Sequence, residues 1–174
     1  MFEGQHHVRV RYAIAEMNAK DMEGVWVTGG AFRSFVDNAP LNDIDVVFSS
    51  DEAHDLWFKH MVKQGAKIHD RLPIVSLGQV HYDHSILIRR PTPHDWVDFA
   101  DFTCGAGVLD TKLNLTTHAN HVSDVLNKEL RLWKGWERDG RGVSRVFKML
   151  NLGYEPPEGR LKFFDQVINR LKAK

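Results

Sequence analysis

The sequence predicts a small α/β (α+β) protein: a short mixed sheet backed by helices, followed by a C-terminal helical segment. Three observations carry this. Val25-Trp26-Val27 runs into Thr28-Gly29-Gly30, and Ile44-Asp45-Val46-Val47-Phe48 follows after a loop, a strand–turn–helix–loop–strand pattern. Residues 66–90 read as short strands with Gly78 at a turn. Beyond residue 120, three stretches carry helical spacing, at about 121–129, 142–152 and 158–172. At 174 residues the chain fits one compact unit. We divide it into a sheet-bearing part, 1–115, and a basic helical part, 116–174, packed with the first.

The elements follow in order. Residues 7–22 read as an amphipathic helix with Val8, Tyr12, Ala15 and Met22 near one face. Residues 25–27 form a strand entering the Gly29-Gly30 turn. Residues 31–36 would be the helix after it, with Phe32, Phe35 and Val36 inward, ended by Asp37-Asn38-Ala39-Pro40. Residues 44–48 are the second strand. Ser49 with Glu52 reads as a capping box. It opens a helix that carries Ala53, Leu56, Trp57, His60 and Met61 and stops at Gly65. Residues 85–88 are the most apolar piece of the strand-rich stretch. Pro91-Thr92-Pro93 breaks the chain, and residues 99–109 read equally as strand or irregular structure. Gly153 and Pro156-Pro157 separate the last two helices.

Composition narrows the class. Hydrophobic residues make up 43% of the chain, with ten Phe and five Trp, enough for a core. No run approaches the length of a membrane span, and no cationic-then-apolar leader opens the chain. We expect a soluble, cytoplasmic protein with no membrane partner. The single Cys104 excludes an intramolecular disulfide and a thiolate zinc cage. Formal net charge is zero, yet residues 128–174 hold twelve Lys and Arg against six Asp and Glu, and the rest holds eleven against seventeen. This split suits either an acidic catalytic half with a basic, polyanion-binding tail or two ordinary solvated surfaces.

The chemistry concentrates at the first turn. Asp43 and Asp45, spaced i, i+2 on a strand, project to one face. They stand beside a Gly-Gly turn that needs positive φ and lets backbone N–H groups approach a phosphate. Two hard oxygen ligands beside a phosphate cradle suit a Mg²⁺-nucleotide site. No Gly-x-Ser-x-Gly or other nucleophile motif appears. The ten histidines include i, i+3 pairs at His81/His84 and His118/His121. None has a nearby thiolate or a His-Glu-x-x-His pattern. Trp133 and Trp136 lie within the basic segment.

Gly29, Gly30, Arg33, Asp43 and Asp45 together resemble the Gly-Gly-x-x-Arg…Asp-x-Asp signature of class II tRNA nucleotidyltransferases and bacterial poly(A) polymerases. These belong to the polymerase β-like nucleotidyltransferase superfamily. Ala100-Asp101-Phe102-Thr103 is similar to the family's Arg-Arg-Asp-Phe-Thr segment, with Phe99 and Ala100 in place of the arginines. Residues 144–154 resemble the Arg-rich helix that follows the head. The resemblance implies a nucleotidyltransferase palm in residues 1–115 and Mg²⁺ (or Mn²⁺) held by Asp43 and Asp45 as the catalytic pair. It also implies an NTP bound by Gly29, Gly30, Arg33, Asp101, Arg145 and Lys148. The reaction would be transfer of a nucleoside monophosphate to an acceptor, RNA or tRNA, with release of pyrophosphate. Alternatives are an acceptor that is a small molecule or a protein hydroxyl, and a non-catalytic nucleotide-binding module.

Asp101 also reads as a cap or turn acid, Arg33 as a surface residue, and Arg145 and Lys148 as a solvated helix face. Many superfamily members add a third carboxylate on a later strand. Residues 85–90, the favoured strand, contain none; Asp83 lies just before and Asp98 well after. The family's base-templating Glu-Asp-x-x-Arg has no counterpart, and the family's neck, body and tail domains lie outside these 174 residues. Nothing in the sequence sets the number of subunits.

Overall fold

The computed structural model describes residues 8–32, 43–136 and 140–173. In chain order these form α1 (Val8–Met17), β1 (Val25–Thr28), a 3₁₀ turn (Gly29–Phe32), β2 (Ile44–Phe48), α2 (Asp51–Lys63), β3 (Lys67–Ile68), β4 (Ile74–Leu77) and β5 (Val80–Asp83). Next come α3 (Pro93–Phe99), a second 3₁₀ turn (Thr103–Gly105), β6 (Gly107–Asp110), β7 (Leu115–Thr117), α4 (His121–Leu126), α5 (Gly142–Asn151) and α6 (Arg160–Lys172). The strands build one mixed sheet in the order β3-β4-β5-β2-β1-β6-β7. Its neighbours are antiparallel except β2 and β5. That one parallel pair follows from the helical crossover, α2, between β2 and the β3–β5 meander.

Strand alternation sorts the two faces. Val25, Val27, Ile44, Val46, Phe48 and Tyr82 point to one face and pack with Ala13, Ile14 and Met17 of α1 and Ala53, Trp57 and Met61 of α2. Each fully buried aliphatic or Phe side chain here contributes about 1.5–3 kcal/mol. Polar tips are satisfied within this layer: Tyr82 donates its hydroxyl to Ala13 O at 2.7 Å, and His60 Nε2 donates to Met17 O at 2.8 Å. The opposite face presents Trp26, Val47 and Val108, covered by Trp96 and Val97 of α3 and by Ala106. A third core joins Phe102 and Cys104 to Val125, Leu130, Leu132, Val146, Met149, Tyr154, Phe163 and Val167.

Several expectations are corrected. On α1 the buried stripe is Ala13, Ile14 and Met17, while Tyr12 and Ala15 face solvent. The cap of α2 is Ser50, whose side chain accepts from Ala53 N. Ser49 instead binds back to the first strand: its N–H donates to Gly24 O at 2.8 Å, and its Oγ fills the space a Cβ on Gly24 would need. Residues 85–88 form no strand, and Leu87 is 80% exposed. The strand is β5, just before them. Pro91-Thr92-Pro93 does not merely break the chain. Thr92 and Asp95 form a capping box with Pro at the helix start, opening α3. The ambiguous stretch 99–109 resolves into the end of α3, the second 3₁₀ turn and the start of β6. The helix expected at 31–36 begins as the 3₁₀ turn with Phe32 buried. Its remainder, with Phe35, Val36 and the Asp37–Pro40 stop, lies outside the described residues.

Candidate active site

The site begins where β1 ends. Gly29 has φ +84°, a left-handed conformation that favours glycine. A Cβ there would fall 1.9 Å from Asp45 Oδ2. Glycine is therefore required twice, for the turn and for the backbone to lie directly against the carboxylate. Gly30 follows in the same 3₁₀ turn.

The ladders align the other groups. Thr28 is the antiparallel Cα partner of Asp45, and Asp83 is its parallel partner across β2–β5. Partners in register point to the same side. Thr28, Asp45 and Asp83 thus form a row across three strands, on the face that also carries Trp26 and Val47. Asp43, exposed, lies two residues before Asp45 along the chain, just ahead of β2 and off this cross-strand row. Thr28 Oγ1 donates to Gly107 O at 2.9 Å, which ties the row to the start of β6. Asp83 Oδ1 accepts from Ser85 N at 2.8 Å.

Asp83, which the sequence left just ahead of the favoured strand, ends β5 itself and stands in register with Asp45. The apolar run after it drew the strand assignment downstream. The usable signal was Val80-His81-Tyr82-Asp83, in which Val80 and Tyr82 alternate inward. Asp43, Asp45, Asp83 and Thr28 offer only oxygen, a chemistry that would suit a hard cation such as Mg²⁺ better than a softer one. Among the described residues no three His, Cys, Asp or Glu side chains stand close enough together to enclose a metal ion.

A second pair of expected residues also meets. Arg145 on α5 reaches Asp101, with Nη1 3.3 Å from Oδ2 and the side chains only 23% and 12% exposed. An ion pair this sheltered is screened less than a surface pair. The segment of Asp101 is set by backbone pairing with residues 131–135: Trp133 N donates to Asp101 O, Thr103 N to Arg131 O and Gly135 N to Ala100 O. Phe99, standing where the resemblance has an arginine, carries the Arg90 guanidinium 4.3 Å from its ring centroid. Lys148 is exposed and, among the described residues, forms no ion pair. Arg33 lies outside the described residues. Among the described residues the histidines meet in pairs rather than in a metal-sized cluster: His54 Nε2 lies 3.1 Å from His84 Nδ1, and Ser76 Oγ lies 2.7 Å from His69 Nε2 and 2.6 Å from His81 Nδ1. His118 Nδ1 accepts from Asn120 N, while His121 is buried against Phe32.

The model of one family, described as Gabija anti-defense 2 family protein, matches residues 5–128. The chain belongs to the Gabija anti-defense 2 family. Curated protein sequences give no match. Among solved structures the chain is similar to a tRNA-processing enzyme in an apo form, with TM-score 0.65 and 17% identity over 92% of this chain and 46% of that one. It is also similar to a tRNA nucleotidyltransferase complexed with a primer tRNA and an incoming ATP analog, with TM-score 0.65 and 16% identity over 88% and 49%. A Thermotoga maritima CCA-adding enzyme complexed with tRNA gives TM-score 0.53 and 18% identity over 81% and 36%. The chain spans about half the length of the first two. At these identities the likeness shows the fold alone: this Gabija anti-defense 2 family member is folded like about half the length of a tRNA nucleotidyltransferase.

Proposed function

We propose that the protein is a metal-dependent nucleotidyltransferase that moves a nucleoside monophosphate from an NTP to an acceptor. The observation that carries this is the row of Thr28, Asp45 and Asp83 set against the backbone of Gly29. A Mg²⁺ or Mn²⁺ ion would be held by Asp43 and Asp45, with Asp83 beside them, and would supply charge stabilisation to the attacking and leaving oxygens. The Gly29-Gly30 backbone would cradle the phosphates. Asp101 and Arg145 would form the far side of the nucleotide site, Asp101 toward the sugar and Arg145 and Lys148 toward the triphosphate. An acceptor hydroxyl oxygen attacks the α-phosphorus, and its proton passes to solvent water. The bond from the α-phosphorus to the bridging oxygen breaks, and pyrophosphate leaves with that electron pair.

RNA or tRNA is the favoured acceptor. Two similar structures are described as complexes with tRNA, and the C-terminal segment is basic. The family description favours a second reading, in which the acceptor is a hydroxyl on a component of the Gabija defence. One experiment separates them. The protein, Mg²⁺ and each α-labelled NTP are incubated with total RNA and, separately, with purified Gabija proteins. Label in RNA supports the first reading and label in protein the second. Label in neither, under conditions where wild type and Asp45→Ala behave alike, removes the enzymatic reading.

A further inference from the structure

Beside the proposed site lies a fully buried polar cluster that the reaction does not use. Thr103, His121 and Asp124 are 2%, 0% and 0% exposed. Thr103 Oγ1 donates to Asp124 Oδ2. Asp124 Oδ1 accepts from Arg131 Nε at 3.2 Å, and Arg131 also pairs with Glu129. His121 Nδ1 donates to Thr103 O at 3.3 Å. The same His121 ring stands edge-on to Phe32 of the Gly-Gly turn, with centroids 5.5 Å apart. It also closes on Gly107, where a Cβ would come within 3.0 Å of the ring. Gly107 O in turn holds Thr28, the cross-strand partner of Asp45.

These contacts form one connected path. At one end is Thr103, two residues after Asp101 in a segment with little regular structure of its own. At the other are Phe32 and Thr28, which flank the Gly-Gly turn and the carboxylate row. Burying a carboxylate is costly unless it is paired and hydrogen-bonded, so the site is built around Asp124 rather than merely tolerating it.

We propose that His121 and Asp124 are positioning residues, a buried clasp that fixes the Asp101–Arg145 pair relative to the Gly29–Asp45 turn. The clasp touches neither nucleotide nor metal and acts through Thr103 and Phe32. It rests on the nucleotidyltransferase reading for its purpose, but its mechanical content stands apart from it: loosening the Thr103–Asp124 bond loosens the Gly-Gly turn through His121 and Phe32.

The test uses the full chain with Thr103→Val, which keeps the shape and removes the hydroxyl. Thr103→Ser restores the hydroxyl, and Asp124→Asn keeps a hydrogen-bonding side chain of the same size. Amide hydrogen exchange is followed over residues 101–107 and 29–32, and Mg²⁺-ATP and Mg²⁺-CTP are titrated as probes. Thr103→Val and Asp124→Asn are expected to speed exchange in both segments and raise the nucleotide KM about tenfold with kcat within about threefold, as loss of outer-shell support does. Thr103→Ser should behave as wild type. Should Thr103→Val not fold, Asp124→Asn carries the same comparison. Wild-type exchange over residues 29–32 in a folded Thr103→Val or Asp124→Asn protein overturns the clasp, whatever the KM. A wild-type chain that binds neither nucleotide overturns the proposed function instead, and the exchange comparison still decides the clasp.

Discussion

The Gly29–Asp45 turn and the Asp101–Arg145 pair contribute to one proposed site but are held by different physics. The first sits on strand ladders: Thr28, Asp45 and Asp83 are placed by register, over faces filled with Val, Ile, Phe and Trp. The second sits on a strand-poor segment. It is fixed by the isolated Phe102–Leu132 bridge, three backbone hydrogen bonds and the buried Asp124 cluster. Register is a discrete choice, since a one-residue slip turns every side chain to the wrong face. A polar clasp can loosen without such a slip. The carboxylate row is therefore held in register by the ladders, with the Gly-Gly turn beside it still open to the clasp, and the nucleotide side is adjustable.

The sharpest way to break that contrast is Asp45→Ala. It removes a row member without disturbing a core residue, so transfer should fall at least about a thousandfold, several kcal/mol of transition-state stabilisation, while melting temperature stays near wild type. A folded Asp45→Ala protein with near-normal turnover would remove the carboxylate row from the chemistry. Next is Gly29→Ala, which meets both the positive φ and the 1.9 Å approach to Asp45 Oδ2. Urea titration should show a loss of about 1–3 kcal/mol, accompanied by a large drop in transfer.

On the adjustable side, Arg145→Ala should act mainly on nucleotide affinity. Removing a charge-assisted contact costs about 1.5–3 kcal/mol, so the NTP KM should rise roughly ten- to a hundredfold while the fold persists. A change in kcat alone would place Arg145 elsewhere in the reaction.

A smaller effect is carried by pH. Burial pushes the Asp124 carboxyl up to about 6, against the lowering effects of Thr103 and Arg131 and with Glu129 raising it further. The groups that face it are therefore Thr103, Arg131 and Glu129, with buried His121 next along the chain of contacts. A carboxyl whose folded value is raised binds more protons in the native state than in the unfolded one, so its contribution to stability declines as pH rises from about 4 to about 6. Asp124→Asn should flatten that slope in denaturant titrations across this window. An unchanged slope would mean that Asp124 is not the titrating group. The smallest effect is expected at Thr92→Ala, which loses the α3 cap at about 1 kcal/mol with transfer unaffected.

The same contrast explains how much the sequence revealed. The strand at 44–48 was legible to the residue and the strand at 25–27 to within one. Continuous apolar runs and a Gly-Gly stop leave few alternatives there. The three C-terminal helices were legible in position, because their apolar spacing answers to a core on one side. Residues 85–88 misled because apolarity alone does not make a strand: the ladder partner on β2 was taken by Val80–Asp83. Helix α3 was missed because Pro91-Thr92-Pro93 reads as a break unless the Asp95 three residues after Thr92 is weighed. On α1, Tyr12 misled by its size. Its aromatic ring counted as apolar in the pattern, yet the core took Ala13 and Ile14. The Asp101–Arg145 contact joins residues far apart in the chain, and only the family resemblance singled out both of them. The Asp124 clasp had no local signal at all, because an Asp in a short helix looks the same in sequence whether it is solvated or buried.

The lone parallel rung between β2 and β5 also sets an order of events. The β4–β5 hairpin closes locally over the turn at Gly78, a microsecond-scale step. The Asp45–Asp83 rung must instead close a loop containing all of α2 and the β3–β4 ribbon. Such long-range closure costs roughly 3 kcal/mol of chain entropy before any contact repays it, and pairing of this kind is slow. The acidic row is therefore completed late. A nascent chain exposes its Gly-Gly turn before Asp45 and Asp83 stand side by side, so any chemistry that needs the row waits for the central sheet.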